Sequence, residues 1–408
     1  MTFKRREFLR FLSTCAGASV LDACLDTRVF LGPPDADPTP PLTNRDLAGV
    51  CDTPEATTLG DLVVSAHPWP DGLDAAAIID VDDFCPVTIP GDGLDFGGDL
   101  TTNGILRGFL LDELAATYPE AKVSLMAIAN MRQNPLTRSA IAEDDRYLLS
   151  RQPAWVETVK AVLDEHPRLR VAMHGYWHFN YQQRSANEFA QYTDLQARGV
   201  MSMMHRTFLN ALPSVEPVFR APGWVTTPGV LEYVAEAGLL LADSSAAATF
   251  QGSVPSCWEL ASGVEIIRAG PDFNEGVVLG VQTAGLIVGH FHFTAPNVYN
   301  LGCDLGRRTA LAFAQGIRNI TKYRLGWLSY HEAARSVAHV RALRWSVVLE
   351  GSTLVIRLDP ASVPTGGETL AIQNLAGRDV TVETTFGDPS PFRVITSARG
   401  CTYVIMTA

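Results

Sequence analysis

AAAIIDVDD, residues 75–83, decides how this chain is read. Its first five residues are apolar and suit a buried strand, while Asp80, Asp82 and Asp83 crowd its carboxyl end. Adjacent carboxylates often sit in a solvated turn, but three at the rim of a core are costly unless a cation or an arginine compensates them. Outward from this stretch, short apolar runs recur at Lys122–Ile128, Leu169–Met173, Pro217–Phe219, Leu239–Ala242 and Gly285–Phe293. Segments of helical period separate them, at Leu106–Thr117, Trp155–Glu165, Glu188–Leu212, Pro228–Ala237 and Arg307–Tyr323. Strand alternating with helix predicts an α/β fold, as a parallel sheet or a βα barrel.

The polar residues fall at the strand ends. Asp82 and Asp83 follow the first run, His174 the run from Leu169, Arg220 the run from Pro217, Asp243 the run from Leu239, and His290 and His292 the run from Gly285. In a βα barrel the carboxyl ends of the strands carry the site, so residues distant in sequence are expected in one pocket. HGYWH, residues 174–178, sets two imidazoles four positions apart. That spacing suits two ligands of one divalent ion, and Asp83 adds a carboxylate while leaving a position open for water. Zinc is the first expectation for Asp83, His174 and His178, with cobalt, manganese or nickel as alternatives. An HxxxH alone equally suits one core histidine and one helix cap. Arg220 is the expected counter-charge to the aspartates, inside FRAPGW at 219–224. Pro222 and Gly223 make a sharp turn there, and Trp224, Tyr176 and Trp177 are expected to wall a groove.

Taken in order, Asp82-Asp83, His174 to His178, Arg220-Ala221-Pro222, Asp243-Ser244 and the final His290 after an apolar strand resemble the NodB-type polysaccharide deacetylases, a carbohydrate esterase group. The resemblance spans about Ala75 to Ala334, and the HGYxH block places the chain in a divergent branch. It implies a distorted (β/α) barrel and a metal-dependent hydrolase that removes an acyl group, acetyl first, from an N- or O-acylated saccharide-like substrate. It further implies Asp82 as proton acceptor, Arg220 as its orienting partner, and His290 as the acid with Asp243 holding its ring. His292, two residues on, is an alternative acid. Phe84 stands where the group has glycine, and Gly175 where it has Ser or Thr. The stretch between Asp83 and His174 is long for the group, which points to an insertion around Met131–Gln152. A non-catalytic carbohydrate-binding protein of the cell envelope and a hydrolase of another amide bond are the rival readings.

The remaining sequence sets the context. Among 408 residues the net charge is −12, which disfavours nucleic acid as a partner. Residues 1–24 read as an export signal: KRREFLR at 4–10 resembles a twin-arginine start, an ordinary basic signal or amphipathic helix being the alternative. LDAC at 21–24 resembles a lipoprotein box with Cys24 as lipid anchor, and no membrane span is expected in the mature chain. A Pro-rich tether at 25–50 leads to a catalytic domain at 51–338 and a small antiparallel β domain at 339–408. A periplasmic or envelope location follows. Of the seven cysteines, none forms a CxxC pair, and one or two disulfides are compatible with export. His67, His166, His205, His331 and His339 show no partner pattern. No G-x-S-x-G elbow, P-loop or dinucleotide fingerprint is present.

Overall fold

The computed structural model describes residues 56–89, 94–132, 141–142, 144–178, 187–190, 192–242, 281, 285–291, 302–359, 366–384 and 387–407. The export signal with Cys24, the tether, Asp243 and His292 lie outside these residues, as does most of Met131–Asp144.

Strands β1 (Thr57–Leu59) and β2 (Leu62–His67) precede the long β3 (Ala75–Phe84), followed by the short β4 (Thr88–Ile89) and β5 (Leu94–Asp95). The parallel sheet is completed by β6 (Val123–Ala127), β7 (Leu169–Met173), β8 (Val218–Phe219), β9 (Leu240–Leu241), β10 (Leu286–Phe291) and β11 (Leu325–Trp327). Its order is β10-β3-β6-β7-β8-β9, with β11 also pairing β3, and every pairing is parallel. Among the described residues this is a half-barrel of seven strands, the expected distorted (β/α) barrel.

Alternation along β3 explains its all-apolar start. Ala75, Ala77, Ile79 and Val81 face the helices and pack with Leu106, Phe109, Val159, Phe208 and Phe313. Ala76 and Ile78 face the interior with Met126, Ala172, Val218, Leu286 and Tyr330. Because side chains repeat every second residue, Asp80 and Asp82 continue that interior row.

The helices are α1 (Ile105–Ala115, in π register), α2 (Pro153–Glu165), α3 (Asp194–Ala211), α4 (Pro228–Glu236), α5 (Gly302–Asn319) and α6 (Tyr330–Ala342). One helix was expected over Glu188–Leu212, but α3 begins only at Asp194. Thr193 caps it, its hydroxyl accepting from the Gln196 N–H while the Gln196 side chain accepts from the Thr193 N–H. Glu188 and Phe189 lie instead in a buried turn. No described helix is long and apolar enough to cross a membrane.

The tail forms β12 (Trp345–Glu350), β13 (Thr353–Leu358), β14 (Thr369–Gln373), β15 (Asp379–Thr384), β16 (Phe392–Thr396) and β17 (Thr402–Met406). One sheet runs β1-β2-β14-β17-β16 and is antiparallel throughout. The other, β12-β13-β15, departs from the expected antiparallel pattern, because β13 and β15 pair in parallel. The two sheets share a core in which Leu62 and Val64 of β2 meet Ile356, Leu370, Val382 and Val404.

Candidate metal centre

The pocket opens with an irregularity in β3. Against β6, Val81 pairs with Leu125 and Phe84 with Ala127, so three steps of one strand match two of the other. The extra residue is a bulge at Asp82-Asp83, where Asp83 takes φ 66°. In an unbroken strand these neighbours point to opposite faces. Here both reach the same imidazole, His174 Nε2 lying 3.5 Å from Asp82 Oδ2 and 3.7 Å from Asp83 Oδ1.

His174 follows β7, and its Nδ1 sits 3.1 Å from the Arg220 carbonyl. A carbonyl only accepts, so that contact puts the proton on Nδ1 and leaves the Nε2 lone pair facing the aspartates. Burial pushes the ring pKa down to about 4, against the pull of Asp82, which keeps it neutral. His178 Nε2 lies 3.1 Å from Asp83 Oδ1. Ligand atoms of Asp83, His174 and His178 all lie within 4.8 Å of one another, and the three residues are buried. A buried carboxylate converging with a neutral imidazole and a second histidine is the donor set of a divalent, zinc-type ion, so the residues present fit such a metal.

Beside them Arg220 is a hub. Its Nη1 contacts Asp80, donates to Asp82 Oδ1 at 3.2 Å and lies 3.0 Å from His290 Nδ1. Nε donates to the Ala242 carbonyl at 2.9 Å and Nη2 to the Tyr330 hydroxyl at 2.7 Å, which in turn donates to Asp80 Oδ2 at 2.8 Å. Asp80, Asp82 and His290 also form a possible cation cluster, and the guanidinium is the cation that sits among them. Burial pushes the Asp80 carboxyl above its usual range, with Arg220 pulling the other way. Because Arg220 can only donate, the contact with Nδ1 leaves the His290 proton on Nε2, 3.6 Å from Asp82 Oδ2.

Glu188 fixes the histidine block. Its carboxylate accepts from the main-chain N–H groups of Tyr176 (3.0 Å), Trp177 (3.0 Å) and His178 (3.2 Å). Left buried without an acceptor, such groups cost about 1–3 kcal/mol each. Burial pushes the carboxyl up to about 7, opposed by these hydrogen bonds. Gly175, at φ 91°, stands where a Cβ would meet Glu188 Oε2 at 2.3 Å and Pro222 Cγ at 2.5 Å. Glycine therefore replaces the Ser or Thr of the resembling group because the carboxylate and Pro222 fill that space.

The structure thus gathers Asp82, Asp83, His174, His178, Arg220 and His290 in one pocket, with Pro222 packed on Gly175. Tyr176 and Trp177 are half-buried, and Arg132 lies 5.5 Å over the Trp177 ring. Asp243, His292 and the side chain of Trp224 fall outside the described residues. Two residues of the site had no role readable from the sequence. Tyr330 carries no motif; Glu188 was visible only as an acidic residue ten positions beyond the block.

No protein-family model matches the sequence, and no curated protein is significantly similar to it. Solved structures that this chain matches include the family 4 carbohydrate esterase from Streptomyces lividans, at 13% identity over 64% of this chain and 93% of that one, TM-score 0.31. A Mycobacterium smegmatis structure described as a polysaccharide deacetylase matches at 15% identity over 70% and 95%, TM-score 0.37. A family 4 carbohydrate esterase pseudoenzyme from Bacillus anthracis matches at 8% over 64% and 66%, TM-score 0.33. The chain's own half-barrel, the order of its motifs and its buried Asp-His-His donor set make it similar to the NodB-type polysaccharide deacetylases.

Proposed function

We propose that the protein is an exported, divalent-metal-dependent hydrolase that removes an acyl group, acetyl first, from an N- or O-acylated saccharide. The observation that carries this reading is one contact: a metal donor, His174, lies 3.5 Å from Asp82, the carboxylate of the neighbouring arginine cluster. Asp83, His174 and His178 would hold the ion, which when bound would supply a carbonyl-polarising charge and lower the pKa of a water.

The protein's own residues do the rest. Asp82 accepts the proton of the attacking water, and Arg220, donating to its Oδ1, leaves its Oδ2 turned toward His174. His290 is the acid for the departing amine or alcohol. A neutral imidazole gives up its proton too reluctantly for that step. His290 therefore acts only in concert with Asp82, whose Oδ2 lies 3.6 Å from Nε2 and returns the proton taken from the water as the Nε2 proton passes to the leaving group. Asp243 is proposed to steady that ring, with His292 as the alternative acid. Tyr176, Trp177, Pro222 and Trp224 are proposed to wall the groove. We further propose that residues 1–24 direct export, that Cys24 anchors the chain, and that residues 339–408 form a small C-terminal β domain, which β1 and β2 complete.

The test is acetate release from N-acetylated chito-oligosaccharides and O-acetylated xylo-oligosaccharides, before and after chelation. Release that stops with chelation and returns with zinc or cobalt supports the reading. Release that persists in metal-free protein contradicts it. Bound metal without release on a wide acyl panel points to the non-catalytic carbohydrate-binding role.

A further inference from the structure

Three successive main-chain N–H groups, those of Tyr176, Trp177 and His178, turn inward onto one fully buried carboxylate from a different turn of the chain. Such a run of convergent N–H groups is an anion-binding nest, which needs residues of left-handed conformation to form. Gly175 (φ 91°) and His178 (φ 57°) provide them at either end. The block is consequently no helix, so four-residue spacing alone does not bring His178 onto the face of His174. What sets His178 is its left-handed backbone, and Glu188 Oε2 holds the N–H of that residue at 3.2 Å.

We propose that Glu188 is a positioning residue of the metal centre, an anionic pin that fixes the backbone of a ligand-bearing loop and so sets the geometry and affinity of the site. The proposal rests on the metal-dependent reading above. Both carboxylate oxygens are used. Oε1 accepts from Trp177 at 3.0 Å, and Oε2 accepts from Tyr176 at 3.0 Å and His178 at 3.2 Å. An amide at this position is isosteric, yet its NH2 must face at least one of those N–H groups, donor against donor. Glu188→Gln therefore keeps the volume and breaks the pin. The seat is closed to substitution from the other side too, since a Cβ on Gly175 would fall 2.3 Å from Oε2.

The experiment is a Co2+ titration of the full chain, followed by visible absorption, on wild type, Glu188→Gln and Glu216→Gln. Glu216 is another buried carboxylate, ahead of β8 at the amino-terminal end of the sheet. It controls for the general cost of removing a buried charge. The expected result is a 10–100-fold weaker Co2+ affinity and an altered d–d spectrum in Glu188→Gln, the size typical of lost outer-shell support. Glu216→Gln is expected to lower the melting temperature without moving either readout. If Glu188→Gln does not accumulate folded, Glu188→Asp gives the same comparison, keeping the charge but withdrawing the carboxylate by one methylene from the three N–H groups. Co2+ affinity within threefold of wild type and an unchanged spectrum in the Glu188 variant overturn the proposal alone. A folded wild type that binds no Co2+ overturns the metal reading and the pin together.

Discussion

Asp82 and Asp83 are one step apart in sequence, yet the bulge in β3 turns both carboxylates onto His174 Nε2. Their neighbours then separate their roles: Asp83 faces a second histidine, His178, and Asp82 faces the guanidinium of Arg220. Asp82→Asn should accordingly keep the metal and lose turnover by about 10²–10⁴-fold, the usual contribution of a general base; equilibrium metal content and kcat on a responsive substrate check this. Tyr330 tests the hub from the other side. Its hydroxyl bridges Arg220 Nη2 and Asp80 Oδ2, so Tyr330→Phe leaves a buried donor and a buried acceptor without that link. A loss of about 1–3 kcal/mol in urea unfolding is expected, together with slower turnover at unchanged metal content. Asp82, Asp83, His174, Arg220 and His290 were legible in the sequence because each follows an apolar run, and His178 through its spacing from His174. Tyr330 was not, because it reaches the hub across the barrel from a helix start with no recognisable pattern.

Strands β3, β6, β7 and β10 were legible as apolar runs because a sheet buried on both faces leaves no polar alternation to blur them. Pairings made over long sequence separation were not legible. β2 joins β14 about three hundred residues later, and β13 takes β15 as a parallel neighbour. Nothing in a short period-two run names its partner. The start of α3 was misplaced for a related reason: Glu188 and Phe189 continue the helical pattern, but tertiary contacts claim them first. The pairing of β2 has a consequence for the tail. A chain ending at Ala342 strips β2 of β14, leaving Leu62 and Val64 without Leu370 and Ile372, and α6 without its continuation into β12. Such a chain is expected to lose cooperative thermal unfolding, measurable by circular dichroism; a sharp transition at the full-length temperature would show the tail to be dispensable.

Across the whole molecule, barrel and tail are joined by buried polar contacts as well as by packing. Asp74 accepts from Ser397 Oγ and from the Tyr403 hydroxyl at 3.0 Å, and its other oxygen accepts from the Arg324 N–H at 2.9 Å. His67 stacks 4.5 Å from Tyr403 and donates from Nε2 to the Leu73 carbonyl. Burial lowers the His67 pKa from 6.5 to about 4. The unfolded chain therefore takes up this proton first as pH falls, so stability present above pH 6.5 is lost between 6.5 and about 4. His67→Gln should flatten that part of the stability–pH curve, the wild-type difference across the window being on the order of 3 kcal/mol; parallel curves would place the acid sensitivity elsewhere. Among the described residues Cys85 and Cys401 form no disulfide. The account as a whole turns on the metal. Elemental analysis of purified protein lacking residues 1–24, beside Asp83→Ala and His178→Ala, measures this most directly. One equivalent of a divalent ion in wild type, lost from both variants while they remain folded, is the predicted result, and a folded wild type that takes up no divalent ion would contradict it.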